Sequence, residues 1–163
     1  MPQPMDDADA PGEAPADAPG DEWYADGLRF SCTQCGNCCS GPPGYVWFHL
    51  DELKAMADHL KMLPHEFLRQ YAHKVDGHWT LNEVQRDGQY DCVFLARNPK
   101  TNRGTCSIYH VRPTQCRTWP FWDYNLASPE RWNDAARGCP GINRGNKYTF
   151  VQIETQRLMN TPD

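Results

Sequence analysis

No apolar stretch in this 163-residue chain approaches the ~18 residues that a membrane-crossing helix needs. A basic arm or stripe is missing too. Net charge is -5, with 16 Lys and Arg against 21 Asp and Glu, which argues against a nucleic-acid surface. The acidic N-terminus has neither the basic nor the apolar segment of a secretory signal, so the reading is cytoplasmic. Core-forming residues are scarce as well. Hydrophobic residues make up 39% and mean hydropathy is -0.77, both low for a chain that must rest on a large core. Fourteen prolines and twelve glycines cut it into short elements. A length that suits one domain and so little to bury predict a fold that depends on a staple.

Cysteine is what the chain has in excess. Ser31 to Cys39 reads Ser-Cys-Thr-Gln-Cys-Gly-Asn-Cys-Cys, a C-x2-C-x2-C-C cluster of Cys32, Cys35, Cys38 and Cys39. Cys92, Cys106, Cys116 and Cys139 follow at a distance. Thiolate is a strong ligand for zinc and for iron–sulfur clusters. Two intervening residues let one turn aim both sulfurs at a common point, and Gly36 removes the Cβ that would block a left-handed turn after Cys35. In a reducing cytosol eight cysteines mean metal or redox chemistry more often than bridges. The bland alternative is four disulfides in an exported domain. The missing signal and the adjacent Cys38-Cys39 pair weigh against it.

Residues 1–22, rich in Pro, Ala, Asp and Gly, read as a disordered acidic tail, and 23–163 as the cysteine-cluster domain. Leu28-Arg29-Phe30 predicts a short strand that delivers the cluster, and Tyr45 to Leu50 an extended segment. Asp51 fits an N-cap for a helix carrying Leu53, Met56, Leu60 and Leu63. Pro64 suits the first turn of a second helix with Phe67, Leu68, Tyr71 and Val75 inward. The helical spacing of Met56 and Met62 indicates core packing rather than soft copper ligands. Strands are predicted over His78–Val84, Gln89–Ala96 and Thr105–Tyr109, the last two joined by the turn Asn98–Gly104. A hairpin would bring Cys92 and Cys106, each early in its strand, to one end of a sheet. Arg112-Pro113 opens a short helix carrying Cys116, ended by Pro120. A further helix has Ser128 at the N-cap, Pro129 at N1 and Gly138 at C′, and the last is expected over Lys147–Asn160. The expected fold is α+β: a small, loop-rich, metal-stapled single domain with several short helices and a short antiparallel sheet.

With these residues laid out, the chain resembles the YkgJ-like cysteine-cluster family, the CxxCxxCC zinc- or iron-chelating domain. The match is Cys32-x2-Cys35-Gly36-x-Cys38-Cys39, then Cys92-Val93-Phe94-Leu95, then Cys106-Ser107-Ile108-Tyr109-x2-Arg112-Pro113-x2-Cys116-Arg117-x-Trp119-Pro120-Phe121, then Cys139-Pro140-Gly141. The ordered set is far more specific than one C-x2-C. It implies metal chelation with all eight cysteines as candidate ligands. A similar module in flagellin lysine methylases looks tied to iron–sulfur chemistry. That activity is not carried over, because this chain has little beyond the module. Where the resemblance leads one to expect an acidic residue after Ile-Tyr, this chain has His110, which reads as a surface side chain.

The residues leave the metal open between zinc and iron. Two sites of four thiolates would be closed and structural in a zinc protein. Cys32, Cys35, Cys38 and the distant Cys139-Pro140 also reproduce the ligand pattern of a four-iron, four-sulfur cluster. Adjacent Cys38 and Cys39 diverge, so one faces a second metal or stays free. Arg112 and Arg117 flank Cys116, where guanidinium donors would offset thiolate charge; the alternative is that Arg112 caps a turn. A cysteine nucleophile would need a base, and none of His49, His65, His78 or His110 stands at a recognised spacing from a cysteine. Trp119, Phe121 and Trp122 read as cover for the site. The partner implied is a metal ion, either structural or used in metal or redox handling. The alternatives are an iron–sulfur protein that transfers electrons or assists a methyl-transfer or radical enzyme, and a metal-stapled interaction module without chemistry.

Overall fold

A computed structural model describes residues 20–160, so the tail expected over residues 1–22 lies, as far as residue 19, outside the described residues. In chain order the first elements are β1 (Leu28–Phe30), a 3-10 turn (Asn37–Cys39), β2 (Ser40–Gly41), α1 (Leu50–His59), α2 (Pro64–Tyr71), β3 (Ala72–Val75), β4 (His78–Leu81), β5 (Glu83–Arg86) and β6 (Gln89–Cys92). There follow β7 (Leu95–Arg97), β8 (Gly104–Cys106), a 3-10 turn (Tyr109–Val111), α3 (Thr114–Thr118), α4 (Asp123–Leu126), α5 (Pro129–Gly138), β9 (Ile142–Tyr148) and α6 (Phe150–Met159). The class is the expected mixture of short helices and antiparallel strands. Among the described residues the strands form four small sheets rather than one: β1-β9, β2-β6-β5, β3-β4 and β7-β8.

Local chemistry explains where boundaries depart from the sequence pattern. Helix α1 starts one residue before Asp51, because Glu52 reaches back to accept the His49 N–H at 3.0 Å and so makes His49 the N-cap. The inner face predicted for α2 stops at Tyr71. Val75 belongs to β3, which turns through Asp76-Gly77, both at positive φ, into β4. Asn82 splits the expected strand His78–Val84. Its N–H donates to Tyr71 O at 2.8 Å and its carbonyl accepts from Val93 N at 2.9 Å, so it ties the end of α2 to the link between β6 and β7 rather than continuing a strand. Gln89–Ala96 divides likewise into β6 and β7. Cys92 and Cys106 therefore close their strands instead of opening them, and Cys106 pairs with Leu95 rather than sharing a sheet end with Cys92. Gly138 is the last helical residue of α5, not a left-handed C′, and Cys139 is the extended C-cap.

The C-terminal region differs most. Lys147 and Tyr148, expected in a helix, end β9 and pair with Arg29 and Leu28. Thr149 then caps α6, its hydroxyl accepting from Gln152 N at 3.3 Å while the Gln152 side chain accepts from Thr149 N at 2.9 Å. Only Ile153 is fully inward. Val151 and Leu158, expected inside, are 47% and 60% exposed, because neither lies on the same helical stripe as Ile153.

Among the described residues, two apolar clusters form. Phe48, Leu53, Met56, Phe67, Leu81, Phe94 and Ile108 build the first around α1 and α2, and Met56 is fully buried there, as its spacing predicts. Tyr24, Phe30, Phe121, Leu126, Trp132, Ile142 and Ile153 build the second around β1, β9, α5 and α6. Burying each such side chain is worth about 1.5–3 kcal/mol. The β1-β9 pair draws the two ends of the domain together. Gly141 is packed so closely that an added Cβ would lie 2.1 Å from Ser31 O, so only glycine fits.

Candidate metal centre

The loop between β1 and β2 is held by its neighbours. Gly36 has φ 76, the left-handed turn that the sequence predicts after Cys35. Arg103 Nη2 donates to Thr33 O at 3.1 Å, and Asn37 Nδ2 donates to Gly138 O at 3.0 Å. These bonds press the cluster between the β7-β8 hairpin and the end of α5. The Gln34 N–H points at Cys32 Sγ, 3.4 Å away.

The other four cysteines approach from four directions. Cys92 ends β6, Cys106 ends β8, Cys116 lies in α3 and Cys139 caps α5. Helix α3 is fixed by Glu52, whose Oε1 accepts Thr114 N–H at 2.6 Å and Thr114 O–H at 2.7 Å. Trp119 Nε1 donates to Cys139 Sγ at 3.5 Å. All eight thiols line one cavity of about 50 Å³. It lies between the two apolar clusters, with Phe30 contributed by one and Leu81, Phe94 and Ile108 by the other. None of the eight is in a disulfide.

Arg112 is the one cationic side chain on this lining. Its Nε donates to Tyr109 O at 2.8 Å and its guanidinium lies 3.7 Å from the centre of the Tyr109 ring. It therefore caps the turn and faces the thiols at once. Arg117 points elsewhere: to Arg112 O and Thr114 Oγ1, each at 2.7 Å, and towards Glu52 at 3.6 Å. Among the described residues no histidine lines the cavity, so His49, His65, His78 and His110 all stand outside it. Trp119 lines it, whereas Phe121 is buried in the second cluster.

The thiols influence one another. Cys38 and Cys39 have their sulfurs 3.9 Å apart. Their contact holds the Cys38 thiol down at about 7, helped by the Arg112 charge, and pushes the Cys39 thiol up. Burial, with Cys106 nearby, raises Cys92 to about 11. Burial also raises Cys106 and Cys116, and Cys92 and Cys38 add to the rise at Cys116. The Tyr109 hydroxyl is raised first by its contact with Cys32. Trp119 stands where the sequence put it, as cover for the site; nothing in the spacing of Tyr109 marked it as the neighbour of a sulfur, the only available signal being that it lies three residues from Cys106.

The family described as "CxxCxxCC: Putative zinc- or iron-chelating domain" matches residues 31–140. The chain belongs to this family. Among its relatives is the uncharacterized protein MJ0661 of Methanocaldococcus jannaschii, 32% identical over 98 residues, which are 60% of this chain and 48% of that one. The chain thus spans about half the length of this curated relative. No solved structure matches it. The CxxCxxCC donor set suits zinc or iron: eight sulfurs, an apolar rim and a single fixed cation. Among the described residues, however, no three Cys, His, Asp or Glu side chains stand as a ready-made ligand group. The thiols surround the cavity without yet gripping a common point.

Proposed function

We propose that the protein holds zinc or iron in the eight-cysteine cavity, and that the metal joins the two halves of its core. The observation that carries this is the convergence of Cys32, Cys35, Cys38, Cys39, Cys92, Cys106, Cys116 and Cys139 on one small space between two apolar clusters. Eight thiolates exceed the four that one tetrahedral ion takes, so the cavity holds more than one metal atom. Cys38, Cys39, Cys92 and Cys116 also line a neighbouring cavity, while Cys32, Cys35, Cys106 and Cys139 do not. Those two sets of four are the groupings proposed; the Cys38 and Cys39 sulfurs, 3.9 Å apart, are close enough to face one ion instead of diverging as their adjacency led one to expect. Metal supplies cross-links that the sparse hydrophobic content does not, and closing the thiols on it couples binding to folding. Arg112 offsets the thiolate charge, and the rim of Phe30, Phe94 and Ile108 keeps water off the sulfurs.

A second reading, an iron–sulfur protein for electron transfer or for assisting a methyl-transfer or radical enzyme, draws on the N–H groups of Gln34 and Trp119 aimed at Cys32 and Cys139. Hydrogen bonds to ligand sulfur tune cluster potential. One preparation separates the readings: anaerobic purification, elemental analysis and an absorption spectrum. Zinc gives no visible band and an iron–sulfur cluster a broad one. Cys35→Ser and Cys139→Ser should then lose the same metal, and Cys92→Ser a different one. Protein that carries no zinc or iron from an anaerobic preparation would sink the proposal.

A further inference from the structure

A second cavity, of about 200 Å³, lies directly against the first. Cys38, Cys39, Cys92, Cys116 and Trp119 line both and form the wall between them. The outer side is made of aromatic rings, Tyr45, Tyr90 and Trp122, together with the carboxylate of Glu83. Trp119 and Trp122 meet edge to face, with centroids 4.8 Å apart.

The polar groups here are unevenly committed. Gln115 is engaged at both ends, its Oε1 accepting from Trp47 N at 2.7 Å and its Nε2 donating to Tyr45 O at 3.1 Å. The Trp122 N–H is taken by Gln115 O at 3.0 Å. Glu83 differs. It is half-buried, both oxygens share the single N–H of Gly44 at 3.2 Å, and no Lys or Arg pairs with it among the described residues. Among the described residues the lining holds no Lys, Arg or His. A carboxylate left without a cation, surrounded by aromatic rings, attracts positive charge. The rings favour a cation with a soft, weakly hydrated surface, and a single carboxylate supplies too few oxygens for a hard metal ion.

We propose that this second cavity binds a small organic cation, an ammonium group on a short apolar body, and seats it against the thiol wall. A water's share of liquid volume is about 30 Å³, so the space admits a molecule the size of several waters rather than a nucleotide. The seat beside a metal rests on the function proposed above; the binding itself does not.

The test uses three probes of equal bulk and different charge: tetramethylammonium, tert-butanol and pivalate. Each is titrated calorimetrically into the full chain as purified, with metal content measured on the same samples. Tetramethylammonium should give saturable binding and the other two none. Glu83→Gln and Tyr90→Leu should each weaken binding about tenfold, the loss of one strong cation contact, with melting temperature unchanged. Tert-butanol binding as well as tetramethylammonium would reduce the cavity to an apolar hole, and potassium chloride competing at equal concentration would reduce it to a general electrostatic effect; either overturns the proposal. So does Glu83→Gln with undiminished affinity. Because the wild-type probe series needs no variant, a misfolded variant leaves the proposal open to refutation. Absence of zinc and iron from anaerobically purified protein would remove the function proposed above, and probe binding by those same samples would leave this inference standing.

Discussion

Replacing Gly36 with alanine strains the cysteine loop in two separable ways. The first is conformational. Gly36 has φ 76, and an alanine held in the left-handed region costs about 1–2 kcal/mol, offset by about 0.4–1 kcal/mol from the stiffer unfolded chain. The second is steric. The new Cβ would lie 2.9 Å from both Gly104 Cα and Leu95 Cδ1. Gly104 Cα is backbone in a strand and cannot rotate away, so overpacking adds about 1–3 kcal/mol. Gly88 supplies the control. Its φ is 78, nearly the same, but nothing lies within 4 Å of an added Cβ. Gly88→Ala should therefore cost about 0.5–1 kcal/mol and Gly36→Ala about 2–4 kcal/mol. In a domain of this size that separates the melting temperatures by roughly 3–12 °C. Thermal denaturation followed by circular dichroism reads the difference, and elemental analysis reads whether the loop still holds metal. Equal melting temperatures for the two variants would show that Gly36 is not pinned between hairpin and cluster, and the account of how this loop is positioned would be wrong.

Three further outcomes are expected. Arg112→Ala should weaken metal retention about 10–100-fold in chelator competition. Arg117→Ala should leave it within twofold and lower only the melting temperature, since Arg117 bonds Arg112 O and Thr114 instead of facing the cavity. Asp91 is 1% exposed and forms a bidentate pair with Arg97 at 3.0 Å on both arms, which holds its carboxyl below the usual range. Its folded pKa lies below its unfolded one, so the pair stabilises the fold above pH about 4 and the contribution fades as pH falls through the depressed value. Asp91→Asn should cost about 2–4 kcal/mol at pH 7, the partial exposure of Arg97 softening the penalty of a broken buried pair. Denaturant titrations of wild type and variant should converge below pH 4. A gap that stays constant with pH would mean that ionisation of Asp91 contributes nothing.

The sequence carried the local parts of this fold. Pro129 after Ser128 and Pro64 after Leu63 start helices because a fixed φ and a missing donor act within one turn. The eight cysteines could be read as one chemical set because thiols have few other uses in such numbers. What escaped was set by pairing across long separations. Residues 147–148 have helix-compatible side chains and were claimed by β1. Asn82 looks like one more polar position in an alternating strand, yet it carries the hydrogen bonds that divide that strand. Which cysteines meet, and that Arg112 but not Arg117 meets them, depends on where α3 docks on Glu52, and no spacing within either segment encodes that.

The β1-β9 clasp also sets an order of events on the ribosome. Cys32 emerges first and Cys139 last of the eight, and the strand that closes the domain, Ile142–Tyr148, comes after both. Translation proceeds at about 5–20 residues per second, so the first thiols wait roughly 5–20 s for the last. Throughout that interval Cys32, Cys35, Cys38 and Cys39 belong to a nascent chain with no cavity around them, open to oxidants and to any passing metal. The growing chain is therefore most exposed to oxidation and to stray metal before its last strand appears.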